Sequence, residues 1–219
     1  MKTSAFPFET LYRKYDAWYE REPGKSLFAI ELKALRQVLD WRGSRCLEIG
    51  VGSGRFAEGL SIRFGVDPAF QPLILAKQRG LRVVKGKGET LPFPAYTFDA
   101  CLLMVTLCFV KDAIEVLRET FRVLKSGGQV VLGMVLRESP WGLAYQRRAM
   151  KGHPFYARAT FYDASQVRDM LEKTGFQSVI TFSTLFQPPG RLRYTVEVLR
   201  RGHMTGAGFT VFRAEKPEE

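Results

Sequence analysis

The chain has 219 residues, 46% hydrophobic and 25% charged, the proportions of a globular protein with material for a core, which excludes a disordered or fibrous chain. Lys and Arg outnumber Asp and Glu by 33 to 22, and the formal charge of +11 suits an anionic partner without choosing among nucleic acid, an acidic membrane surface and a small anion. No apolar run reaches the roughly 18 residues of a membrane span, and no basic-then-apolar leader opens the chain, so a cytoplasmic protein is expected.

In chain order, Leu11, Tyr15, Trp18 and Tyr19 recur at spacings of three and four, and after Pro23-Gly24 so do Phe28, Leu32, Leu35 and Leu39. Two helices are therefore expected before the first strand. Apolar and helical segments then alternate: strands at 45–49, 63–66, 81–85, 98–104 and 129–135, helices at 53–60, 70–79 and 113–124. That alternation predicts a doubly wound α/β fold with a mostly parallel sheet. Beyond it come a helix at 141–150, a helix from Asp163 to a stop at Gly175, and β-type segments at 178–186 and 208–214, expected to pair as a hairpin at the sheet edge. The stretch 187–206, with Pro188-Pro189-Gly190 and Arg191, Arg193, Arg200 and Arg201, reads as an insertion with room for one helix. Cys46, Cys101 and Cys108 form no C-x-x-C pair and read as reduced packing residues, with no metal site.

The strongest chemical signal is Glu48-Ile49-Gly50-Val51-Gly52-Ser53-Gly54, a strand running into three alternate glycines and then a helix, a turn that brings backbone close to a ligand. A dinucleotide fingerprint, G-x-G-x-x-G, would place its third glycine at position 55, where this chain has Arg55. Glu48 would repel a pyrophosphate but suits a ligand end carrying an ammonium group, as S-adenosylmethionine does. Asp67, in Gly65-Val66-Asp67-Pro68 at the end of the next strand, has a carboxylate that can accept from both ribose hydroxyls.

With these residues the chain resembles the class I S-adenosylmethionine-dependent methyltransferases, and within them the small-molecule group that includes the ubiquinone and menaquinone biosynthesis enzymes. Gly86-Lys87-Gly88-Glu89-Thr90-Leu91-Pro92-Phe93 is similar to that family's G-D-A-E-x-L-P-F, Phe98-Asp99-Ala100 to the opening of its fourth strand, and residues 117–128, LRETFRVLKSGG, to its helix and turn before strand five. The resemblance implies a Rossmann-like seven-stranded sheet with N-terminal lid helices, in one domain: helices at 1–43, a cofactor-binding core at 44–136 and a substrate-side region at 137–219. It implies that Glu48, Gly50 and Gly52, with Gly54 completing the turn, hold the methionine end. Asp67 and Pro68 would hold the ribose, Gly88 and Glu89 the adenine, while Met104 and Val105 border the sulfonium and Phe109 packs near the cofactor. Two departures stand out: Lys87 cannot accept a hydrogen bond where the family has an aspartate, and Cys108-Phe109 replaces a His-His pair.

No catalytic base is assigned, since in-line transfer from a sulfonium depends chiefly on alignment in a dry site. His153, His203, Tyr156 and Tyr162 are the candidates if one is needed. Tyr12, Tyr15, Trp18 and Tyr19 read either as a lid over the substrate site or as packing of one helix on the sheet edge. Arg147, Arg148, Lys151, His153 and Arg158 read as a solvated helix face. The leading expectation is methyl transfer to a small organic acceptor. RNA is the competing acceptor, supported by basic charge and opposed by Met104-Val105-Thr106-Leu107 where a D/N-P-P-Y/W motif would hold an adenine amine. A non-catalytic scaffold and a nicotinamide oxidoreductase are the remaining alternatives, the latter opposed by Glu48 and the shifted glycine.

Overall fold

A computed structural model describes residues 7–39 and 45–218. The expected boundary at 43/44 lies outside them. The chain opens with α1 (Pro7–Thr10), α2 (Tyr12–Trp18) and α3 (Gly24–Val38), then continues through β1 (Cys46–Ile49), α4 (Arg55–Gly59), β2 (Phe64–Asp67), α5 (Phe70–Gln78) and β3 (Arg82–Lys85). β4 (Phe98–Met104), α6 (Ala113–Val123) and β5 (Leu124–Met134) complete the alternating part. α7 (Pro140–Met150), α8 (Ala164–Lys173), β6 (Gln177–Thr184), β7 (Arg200–Arg201) and β8 (Phe209–Glu215) follow.

One sheet contains all eight strands in the order β3-β2-β1-β4-β5-β8-β6-β7. β1 to β5 pair in parallel, which requires crossover helices, while β8 is antiparallel to both β5 and β6. The reversal of order lies between β1 and β4, where doubly wound sheets open a crevice beyond the carboxyl ends of their strands. Alternation along β1 shows why its residues are buried on both sides: Leu47 and Ile49 join the cluster under α6 and α8, while Cys46 joins the one under α3 and α4. α6 starts where the Asp112 carboxylate accepts from Glu115 N, and it buries Ala113, Val116, Leu117, Thr120 and Val123 at helical spacing. α8 starts with a reciprocal capping box between Asp163 and Gln166.

Three expectations need correction. β5 begins at Leu124 rather than Gln129, because Leu124 already pairs with Phe98 and Gly127, at φ 70°, lets the strand bend and continue. The two late strands do pair antiparallel, but β8 inserts between β5 and β6 instead of forming an edge hairpin, so the predicted seven strands become eight with two-residue β7 at the edge. The 187–206 insertion contains no helix. Its backbone is satisfied from outside: Trp141 Nε1 donates to Gln187 O (2.9 Å), Tyr194 N donates to Ser26 Oγ (3.0 Å), and Tyr194 is buried.

Among the described residues no helix is long and apolar enough to cross a membrane. Cys46 and Cys101 are buried free thiols and Cys108 is a partly buried one.

Candidate cofactor and acceptor site

The turn after β1 is built by three glycines in left-handed conformation, each for a different reason. Gly50 (φ 76°) lies so close to Thr106 that a Cβ would sit 2.4 Å from its Cγ2 and Oγ1. Gly54 (φ 82°) precedes α4, and its Cβ would meet Leu81 and Ala76 at 3.0 and 3.1 Å, which is why α4 starts at Arg55 rather than Ser53. Gly52 (φ 51°) has nothing within 4 Å of where a Cβ would point. That open space belongs to a cavity of about 790 Å³ beyond the strand ends, lined by Glu48, Gly50, Gly52, Asp67, Pro68, Gly88, Glu89, Met104, Val105 and Phe109. Ten of the eleven expected positions thus converge, and Gly54 packs behind them, outside the lining.

Two carboxyls give the cavity its electrostatic character. Glu48 is 2% exposed, its Oε2 has no hydrogen-bond partner, and burial pushes its carboxyl well above the usual range, against a bond from the backbone of Ala57. An orphaned carboxylate oxygen this deep is costly unless a cation meets it. Asp67 is pushed up to about 6 by burial, although its Oδ2 accepts from Gly52 N (2.9 Å) and its Oδ1 from Ala69 N (2.8 Å). Asp67 therefore fixes the glycine turn itself, a role the sequence did not suggest, while each oxygen keeps a lone pair for another donor.

Elsewhere Gly88 is packed against Val116, so its backbone sits where no side chain would fit easily. The Glu89 Oε1 accepts from Lys111 N (2.9 Å) and pins the segment after β4. Lys85, Lys87 and Lys111 also line this side. Val105 has φ 50°, an uncommon conformation for a β-branched residue, held by Val105 N donating to Gly133 O (2.8 Å).

The cavity's other wall comes from the first two helices. Phe8, Glu9, Tyr12, Tyr15 and Tyr19 line it, so three of the four expected lid aromatics face the site, while Trp18 packs outside against Gly24. Phe8 meets Phe109 edge-on at 5.0 Å and Phe155 at 4.9 Å. Two observations explain why the lid is down. Glu9 Oε2 accepts from Phe70 N (2.7 Å), and Asp16 accepts from Arg55 Nε (2.7 Å) and from Arg79 (3.1 Å). Burial raises the Asp16 carboxyl, but the hydrogen bonds from Arg55, Ser53 and Arg79 outweigh it and hold the group below the usual carboxylate range. Phe8 and Glu9 carry no sequence signal for this role; Arg55, at the place of a missing glycine, carries one.

The histidines are outside the cavity lining. His153 stacks on Tyr156 (4.4 Å), and His203 pairs with Glu138 (3.2 Å). Cys108 Sγ donates to Val105 O (3.3 Å), and burial pushes the thiol up to about 12, leaving it no nucleophilic character.

Residues 47–132 match the family model of a methyltransferase domain. Over 95% of the chain and 98% of the other protein, the fold superposes with a TM-score of 0.89 and 35% identity on the crystal structure of a SAM-dependent methyltransferase, "possible histamine N-methyltransferase", from Thermotoga maritima. The uncharacterized protein Rv2003c of Mycobacterium tuberculosis is 42% identical over 200 residues, 91% of this chain and 70% of that one. A demethylmenaquinone methyltransferase of Bacillus licheniformis is 29% identical over 136 residues, 57% and 59% of the respective chains.

Proposed function

Because the chain belongs to the S-adenosylmethionine-dependent methyltransferases, we propose that it transfers the methyl group to a small organic acceptor, held between the lid aromatics and the ends of β4 and β5. The observation that carries this reading is the orphaned Glu48 Oε2 beside the open face of Gly52: a buried acceptor and a space without side chains, side by side. They fit an amino-acid end with its ammonium on Glu48 and its carboxylate toward the glycine backbone.

When bound, S-adenosylmethionine supplies an electrophilic methyl group on a sulfonium. The chain's own part is to hold, align and dry. Asp67 takes the ribose hydroxyls on its free lone pairs, with Pro68 beside it, and Gly88 and Glu89 border the adenine. Lys87 offers only its stem there, so the adenine amino group has no side-chain acceptor at that position. Met104 and Val105 flank the sulfonium, Phe109 covers it, and Gly50 and Gly54 keep the turn in shape. Phe8, Tyr12, Tyr15 and Tyr19 close over the acceptor and exclude water, which favours an in-line displacement without a dedicated base. An aromatic chamber under a lid latched by ion pairs suits a small molecule better than a polynucleotide strand.

Incubation with donor labelled at the methyl carbon, offered total RNA and a panel of small amines, phenols, thiols and carboxylates in parallel, tests the reading. Label is expected in one class of small molecule. Label in RNA alone would contradict it.

A further inference from the structure

The stretch 187–206 lines no part of the cavity, yet it is tied down at its middle. Tyr194 is buried with its ring 5.1 Å from that of Trp141, its N–H donates to Ser26 Oγ (3.0 Å), and its hydroxyl accepts from Arg191 N (3.0 Å). Around this anchor the side chains turn outward. Leu192 is 79% exposed and Val198 78%, with Val196 also in solvent, and next to them stand Arg191, Arg193, Arg200 and Arg201, all exposed. These arginines have little counter-charge. Among the described residues the side chains of Arg191 and Arg201 have no partner, Arg193 reaches Glu22 only at 3.7 Å, and Arg200 lies over the Phe186 ring at 4.7 Å. Glu197 is the one carboxylate of the stretch, and its Oε2 accepts from Phe186 N (2.6 Å). α7, which the stretch meets through Trp141, adds Arg147, Arg148 and, just past its end, Lys151, with no carboxylate.

We infer that this stretch is a docking surface for an anionic lipid bilayer. Exposed aliphatic side chains set among arginines match a bilayer interface, where headgroup phosphates meet the guanidiniums and the acyl boundary takes the aliphatic groups. The arginine stems bury beside those groups while their heads stay at the phosphates. A polynucleotide would meet only the charge: Tyr194 is buried and His203 is paired with Glu138, so the stretch presents no ring for a base to stack on. A second copy would bring four arginines against four, with Glu197 alone on each side to offset them. The inference is independent of what the cavity holds.

Sedimentation of the full chain with lipid vesicles tests it. Vesicles of phosphatidylcholine with about one quarter phosphatidylglycerol are expected to bind the protein at least about tenfold more tightly than phosphatidylcholine alone, and less tightly as salt is added. Leu192→Ser combined with Val198→Ser leaves the charge unchanged and is expected to weaken binding to the mixed vesicles at least about fivefold; Arg191→Gln combined with Arg201→Gln is expected to do the same. All four side chains are exposed, so both variants are expected to keep the wild-type Tm, and if one fails to fold the other decides. No sedimentation with the mixed vesicles, equal affinity for the two compositions, or undiminished binding by the serine variant would overturn the proposal. So would a dimer in solution that the serine variant dissolves, or binding of an oligoribonucleotide through the same arginines by protein that leaves the vesicles unbound.

Discussion

Gly50 and Gly52 stand two residues apart and fail differently when substituted. Gly50→Ala drives a Cβ into Thr106 at a backbone angle that favours glycine, so a loss of about 2 kcal/mol in unfolding free energy is expected, partly recovered in the double variant with Thr106→Ala. Equal destabilisation with and without Thr106→Ala in urea titrations would rule out the clash. At Gly52 a Cβ meets no protein atom, although φ 51° strains any other residue, so Gly52→Val is expected to cost the fold about 1–2 kcal/mol and, in protein that remains folded, to lower affinity for S-adenosylhomocysteine by more than about a hundredfold, ~3 kcal/mol. Asp67 adds a pH dependence with a definite sign. Burial lifts its carboxyl to about 6 in the free protein, whereas accepting ribose hydroxyls requires the ionised form, so binding expels a proton once the pH is below about 6. Affinity is expected to hold steady above that value and fall by up to about tenfold per pH unit below it, with a shallower profile in Asp67→Asn. A flat wild-type profile would remove Asp67 from the ligand. The same shift means that ionising Asp67 costs the free fold stability as pH rises from its unfolded value toward about 6, since the folded form holds the proton more tightly. Glu48 and Asp67 were legible in the sequence because they flank a glycine turn at strand ends. Glu9 was not, since its meaning depends on a helix that reaches the site from elsewhere in the chain.

At the scale of elements, the latch between α2 and the helices below it is the part most open to test. Asp16 is 14% exposed and shared by Arg55 and Arg79, so Asp16→Ala leaves two guanidiniums without their common partner. Amide hydrogen exchange is expected to rise over 7–19 and stay unchanged in β1, β4 and β5, with a several-fold faster release of S-adenosylhomocysteine, ~1 kcal/mol. Uniform protection across the chain would mean the ion pairs do not hold the lid. α8 supplies the contrast, because neither its capping box nor any of its residues lines the cavity. Asp163→Ala should cost about 1 kcal/mol and a few degrees of Tm while cofactor affinity is untouched. Periodicity gave the alternating strands and helices from β1 to β5 with shifts of a few residues, because each buries a continuous apolar stripe. It did not give β7 or the path of 187–206, where two buried anchors, Trp141 and Tyr194, replace any repeating pattern.

At the scale of the whole molecule, a basic chain encloses a site with buried carboxyls. The net charge of +11 coexists with two buried carboxyls at the glycine turn, in a cavity that Arg55, Lys85, Lys87 and Lys111 also line, so composition alone does not describe the charge that a ligand meets. The insertion of β8 between β5 and β6 is a further property of the whole: the chain must be complete through its last strand before the sheet closes beside β5. Sequence reading reached the parallel half and the cavity's floor, both encoded within one stretch, and missed the strand order and half of the lid, which are set by contacts across the chain. The central claim, that the cavity at the glycine turn holds the methyl donor, is tested most directly by calorimetric titration of wild-type protein and Glu48→Gln with S-adenosylhomocysteine, with NAD as control. Micromolar binding by the wild type, clear weakening in Glu48→Gln and no heat from NAD is the predicted result; no binding of S-adenosylhomocysteine by folded wild-type protein, or equal binding by both proteins, would contradict it.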